Sequence, residues 1–206
     1  MKIVLALIVL AGSAQADVDW AKGLVTGDGL GIADRHAPSP ATARGTSRRV
    51  AEDAGRHVLA AKIAELPVAG GGTVGAREKD PAVKARLDAA IADAYAIAGE
   101  PETDGAWRVT MAVPIEAVRQ ALDGPRELPA GGDRGPPIVV IDGAGKAKPA
   151  VGWTVGGVHA ATVWTTGVPA WAAAAPHVSA SKIEHGAIEI AGSAATPAAL
   201  FVIATE

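Results

Sequence analysis

Apolar residues between positions 41 and 66 return at helical spacing. Val50, Ala54, Val58 and Ala61 follow one another at intervals of four, four and three, and Leu59, Ile63 and Leu66 widen the stripe. The other faces are charged: Arg44, Arg48, Glu52 and Arg56 stand at successive i,i+4 positions, as do Arg49, Asp53 and His57. Pro67 stops the pattern. Upstream, residues 20–32 read as a short apolar strand that dissolves into glycine, with Gly27-Asp-Gly-Leu-Gly31 as a turn. Downstream, residues 68–76 read as a loose strand or loop. Asp80-Pro81 then opens a second helix whose apolar face is Val83, Leu87, Ala90 and Ile91. Residues 92–99 are compatible with a continuation of that helix, but Tyr95 and Ile97 alternate at period two, Trp107, Val109, Met111 and Val113 alternate strictly, and the turn from Pro101 to Gly105 between them predicts an antiparallel hairpin whose second strand is the better marked. Pro114 ends it, and residues 115–122 form a short helix with Val118 and Leu122 on one side.

Periodicity then stops. Residues 124–137 hold four prolines and four glycines among mixed charges, which marks a linker between residues 17–123 and residues 138–206. Beyond it charge is sparse. Ile138-Val-Val-Ile141 reads as a buried strand closed by Asp142-Gly-Ala-Gly145, and residues 161–165, 183–191 and 200–204 are further strands. The expected fold class is α+β, with a small sheet and a long packed helix in the first half and a mostly β second half.

Composition changes this picture at the N-terminus. Lys2, the apolar run of residues 3–11 and the small-residue site Ala14-Gln-Ala16 have the layout of a cleaved export signal, too short for a stable bilayer span. The mature chain is expected to start near Asp17, outside the cytoplasm, in the periplasm or peripherally at the outer membrane. The sequence has no cysteine, so no disulfide staples it and no lipid-accepting thiol follows the signal. Nineteen basic against 22 acidic residues give a formal net charge of −3, and nothing in that balance marks a nucleic-acid partner. Aromatic residues make up only 3% of the chain, so the core must be built from Ala, Val, Ile and Leu.

The candidate chemistry is thin. Gly27-Asp-Gly-Leu-Gly31 lacks the complete dinucleotide fingerprint, and Gly70-Gly-Gly-Thr-Val-Gly75 and Gly143-Ala-Gly-Lys146 both lack a complete phosphate loop. Asp142 reads as a turn residue. None of His36, His57, His159, His177 and His185 has helical metal-ligand spacing, although His177, His185, Glu184 and Glu189 have the residue types to converge across strands. Ser179 and Ser181 lack the nucleophile-elbow pattern. Trp153, Trp164 and Trp171 either fill the second core or line a groove for a glycan or an apolar partner, with Trp171 the best candidate for exposure. No cofactor and no metal is expected.

Several of these motifs together resemble a known family. They are a Trp-x-x-Gly strand with later glycines (Trp20, Gly23, Gly27, Gly29), an Arg-x-x-Ala-x-x-Ala helix (Arg48, Ala51, Ala54), a second helix, and an Asp-Gly hairpin ending in Val-Pro-Ile. This order is similar to the twenty-kilodalton lipoprotein (Lpp) family of bacterial envelopes and to the N-terminal domain of flagellar assembly protein T. Residues 139–145 and Lys148-Pro-Ala150 resemble the second half of longer members. The chain departs from the family in having no lipidated cysteine, so membrane anchoring is not carried over, and the family supplies no catalytic residues. The resemblance implies a non-catalytic periplasmic interaction module with an envelope protein partner, in an outer-envelope, flagellar or motility assembly. The candidate partner surface is Arg44, Arg48, Arg49, Arg56 and Trp171. A secreted hydrolase or glycan-processing enzyme with a loop-built site is the alternative.

Overall fold

The computed structural model describes residues 16–125, 137–191 and 198–205. The expected export signal and most of the expected linker lie outside these residues. In the first half, β1 (Ala16–Asp19), β2 (Leu24–Gly31), α1 (Pro40–Glu65), α2 (Val74–Arg77), α3 (Pro81–Ala92), β3 (Tyr95–Pro101), β4 (Trp107–Pro114) and α4 (Ile115–Asp123) follow in order. The four strands form an antiparallel sheet in the order β1-β2-β4-β3. The helix α1 starts at a reciprocal cap: Thr42 N–H donates to the Ser39 hydroxyl and Ser39 N–H donates to Thr42 Oγ1, with Pro40 in the first turn. Leu66 caps its far end, one residue before Pro67.

Glycine sets the distance between α1 and the sheet. Gly27, Gly29 and Gly31 share one face of β2 and lie directly under the helix. A Cβ on Gly29 would sit 1.9 Å from the Ala51 carbonyl oxygen, and one on Gly31 1.7 Å from that of Ser47. On the helix side, a Cβ on Gly55 would meet Met111 Cγ at 2.6 Å. The segment expected as a turn is therefore a strand, made of glycine because the helix backbone rests on it. The inward face of α1 is Ala43, Ser47, Ala51, Gly55, Leu59 and Ile63. Of the expected stripe, Leu59, Ile63 and Leu66 are buried, but Val50 is 48% exposed. Small residues turn inward because only they permit this approach, and the buried Ser47 hydroxyl is satisfied by donating to the Gly105 carbonyl at 2.7 Å.

Two further elements of the first half depart from the sequence reading: β1 at Ala16–Asp19 is unexpected, and the segment read as a loose strand or loop over residues 68–76 ends in the short helix α2, capped by Thr73. Asp80 caps α3 by accepting from Ala82 N–H, and Val83 and Leu87 are its buried residues. The hairpin β3–β4 forms, with a bulge between Ala96 and Ala98. The helix α4 buries Ile115, Val118 and Ala121 together with Arg119, which is held by two 2.8 Å bonds to Glu116.

In the second half, β5 (Ile138–Asp142), β6 (Thr154–Val155), β7 (Val158–His159), β8 (Ala161–Thr165), β9 (His177–Glu184), β10 (Ala187–Ile190) and β11 (Leu200–Ala204) form one sheet in the order β7-β6-β10-β9-β5-β11-β8. The strands β9, β5, β11 and β8 run parallel. The expected single strand over residues 183–191 is instead the end of β9, a tight turn at His185-Gly186 with both φ positive, and β10. Alternation along the parallel strands feeds two cores. Val139, Ile141, Trp164, Phe201 and Ile203 face one, Val140, Val163 and Val202 the other. The crossover from β8 to β9, through a 3-10 turn at Ala170–Ala172, covers the second core with Ala172 and Ala175.

The halves touch through backbone. Trp164 N–H donates to the Trp20 carbonyl at 3.0 Å, and Val151 exchanges two bonds with Pro67 and Ala69. Val151 belongs to the first core, and Trp20 packs against both of the larger ones.

Candidate functional site

Charged residues of α1 form the first surface. Arg44, Arg48 and Arg49 are exposed near its N-terminal end, and Arg48 is fixed there. Its guanidinium lies 5.7 Å from the Trp107 ring centroid, and its Nε donates to Glu52 at 2.8 Å. Arg44 and Arg49 have no acidic partner among the described residues. Arg56 lies two turns on, half-buried and paired with Asp53 at 3.0 Å. Trp171 is 56% exposed but lies on the β8–β9 crossover, in the other half of the molecule. The five residues expected to act together are thus split between two surfaces, and Arg48 and Arg56 already hold partners. Trp153 and Trp164 are buried edge to face with centroids 5.9 Å apart, which makes them core residues.

The metal candidates do not converge. His177 Nδ1 lies 2.9 Å from Asp142 Oδ2, joining the start of β9 to the end of β5, and Asp142 thereby does more than form a turn. Glu184 bonds to Lys182 on its own strand. That hydrogen bond is the main reason the Glu184 carboxyl is held below its ordinary range and the Lys182 ammonium above its own. His185 occupies the β9–β10 turn. Among the described residues no group of three or more acidic or imidazole side chains is arranged to hold a metal ion. Ser179 stands opposite Asp142 in the β5–β9 register, and the pair Asp142–His177 orients an imidazole on an exposed strand.

A cleft of about 460 Å³ opens between the halves, which the linear sequence gave no means to assemble. Val68, Val83 and Leu122 supply apolar lining, Arg77, Asp80 and Asp123 supply charge, and His159 and His185 add two imidazoles. Asp123 sits 3.8 Å from the buried Arg119 and 3.7 Å from His159. His185 reaches the cleft at φ +48°, a left-handed conformation that histidine, like asparagine and aspartate, adopts more readily than most residues other than glycine. Its neighbour Gly186 makes this docking possible, since a Cβ there would lie 2.6 Å from the Gly70 nitrogen.

Fold and surfaces together define an α+β protein of two sheets, one roofed by a long helix. No protein-family model matches the chain, and no curated protein matches it. No helix among the described residues is long and apolar enough to cross a membrane.

Proposed function

We propose that the protein is an exported, non-catalytic interaction module that docks a protein partner in an outer-envelope assembly, a flagellar or motility assembly being the candidate that the family resemblance suggests. The observation that carries the reading is the N-terminal end of α1: Arg48, oriented by Trp107 and Glu52, stands between Arg44 and Arg49, whose charges no described acid neutralises. Exposed arginines held on a rigid helix suit encounter with an acidic protein surface, because electrostatic complementarity governs association rate and specificity. Reversing Arg44 and Arg49 to Glu tests this better than altering Arg48 or Arg56, which are already paired. Recovery of the partner from the native envelope fraction should fall while the unfolding free energy changes by no more than surface charge changes do, about 0 to 1 kcal/mol. Undiminished recovery counts against the reading.

The Asp142–His177 pair favours the alternative, a secreted hydrolase, because a carboxylate bonded to one imidazole nitrogen leaves the other oriented as a base. His177→Ala separates the two. Loss of cellular function in that variant, with full function in the double-arginine variant, moves the chain to the enzyme class.

A further inference from the structure

The cleft between the halves holds a cation without a partner among the described residues. Its walls come from both sides: the first half supplies α2, the start of α3 and the end of α4, and the second supplies β6, β7 and the β9–β10 turn. Hydrogen bonds fix these walls. Ala69 N–H donates to the Val151 carbonyl at 2.8 Å, Thr154 N–H donates to the Gly186 carbonyl at 3.1 Å, and Gly186 packs against Gly70. Small-molecule sites are preformed cavities of about 300 to 1,000 Å³, often where two units meet, and this one has about 460 Å³. The acids in it are engaged. Asp80 caps α3 by accepting from Ala82 N–H at 2.8 Å, and Asp123 lies 3.8 Å from Arg119 and 3.7 Å from His159. Arg77 is not engaged: among the described residues its guanidinium has neither an acidic partner nor a hydrogen bond. The His185 imidazole has no hydrogen-bond partner there either, and the Glu184 carboxylate next to it is bonded to Lys182.

We propose that the cleft binds a small organic monocarboxylate, its two oxygens on the Arg77 guanidinium beside His185 and its apolar body against Val68, Val83 and Leu122. Arginine suits this group because its planar fork of N–H donors meets both carboxylate oxygens at once. The same fork takes phosphate, and here Asp80 decides between them. Its carboxylate is bonded to a backbone amide rather than to a cation, so its negative charge stays in the cleft. One ligand charge neutralises Arg77, whereas the second charge of a phosphate is repelled, and such repulsion is how a site rejects the wrong ligand. The apolar lining adds a second preference, for a carboxylate that carries a hydrocarbon body over one that is polar throughout. No residue of α1 lines this cleft, so the site stands whether or not α1 docks a protein.

Titrating the isotope-labelled full chain with hexanoate, followed by nuclear magnetic resonance, tests the site. Amide shifts should saturate at Val68, Leu122 and Gly186, with a dissociation constant of about 0.1 to 1 mM for so small a probe. Arg77→Gln should weaken hexanoate binding at least about tenfold, through loss of the charge-assisted pair. Arg35→Gln, which removes an exposed arginine from the β2–α1 connection, should leave it unchanged. Hexanamide keeps the tail and lacks the charge, and it should bind at least about tenfold more weakly, as should inorganic phosphate. No saturable shift at about 10 mM hexanoate, equal binding by Arg77→Gln, or equal binding of hexanamide overturns the proposal. Phosphate bound as tightly as hexanoate overturns the assignment to a carboxylate. The comparison of hexanoate with hexanamide uses the unsubstituted chain, so it decides the matter even if Arg77→Gln fails to fold.

Discussion

At the scale of single residues, the glycines of β2 hold the first half together by what they lack. A methyl group at Gly29 would overlap the Ala51 carbonyl oxygen, and at 1.9 Å the obstacle is helix backbone, which cannot rotate aside. Gly29→Ala therefore forces α1 off the sheet. Overpacking usually costs about 1 to 3 kcal/mol, and the backbone obstacle places this variant at or beyond the upper end. Denaturant unfolding should show that loss, whereas Gly45→Ala, where a Cβ meets nothing within 4 Å, should be neutral or slightly stabilising. Equal stability of the two variants would falsify the close-packing account. The glycines were visible in the sequence, but their role was not. Glycine has poor strand propensity and marks turns in most contexts, so Gly27-Asp-Gly-Leu-Gly31 signals a turn unless its period of two is matched to a row of small residues on a helix. Arg119 was hidden for a related reason: its 4% exposure depends on Glu116 and on α4 packing, and a charge seldom signals burial in advance.

At the scale of elements, the sequence was most legible where a local signal and a periodic one coincide. The stop at Pro67, the Asp80-Pro81 start and the hairpin turn at Asp104-Gly105 all lie where local chemistry places them. The inward face of α1 was less legible. Val50 and Val58 looked like core residues because they are large and apolar, yet the glycine strand selects Ala51 and Gly55 beside them. The strands β6 and β7, two residues each, carry no periodic signal at all. The strand expected at residues 183–191 concealed a turn, because His185 at positive φ is not a residue that announces one. The capping of α1 gives a test at this scale. Ser39 and Thr42 satisfy each other's backbone donors, and the helix N-terminus carries no acidic residue in its first turn to share that work. Ser39→Ala should cost about 1 kcal/mol. Hydrogen exchange should quicken first at Thr42 and Ala43, while protection at Leu59 and Ile63 follows global stability alone.

At the scale of the molecule, the two halves have separate cores but a shared seam. That distinction decides what cutting the chain does. Residues 124–137 hold Arg126 and Arg134 in a Pro- and Gly-rich run without periodicity, so trypsin is expected to cut there before it cuts within Val50–Leu66, where helical hydrogen bonds protect the backbone. The seam lies elsewhere: the Trp20–Trp164 backbone bond, the two bonds between Val151 and the Pro67–Ala69 segment, and the contact of Gly186 with Gly70. None of these passes through residues 124–137. The nicked fragments should therefore elute together in gel filtration and separate only in denaturant. Val151→Pro removes the N–H that donates to Pro67 and disturbs a residue packed in the first core, so fragments of that variant should separate under native conditions. Co-elution of the variant's fragments would show that the seam is held mainly by Trp20 and the Gly186 turn. Separation of the unsubstituted fragments would show that the covalent connection, rather than the seam, keeps the halves and the cleft between them together.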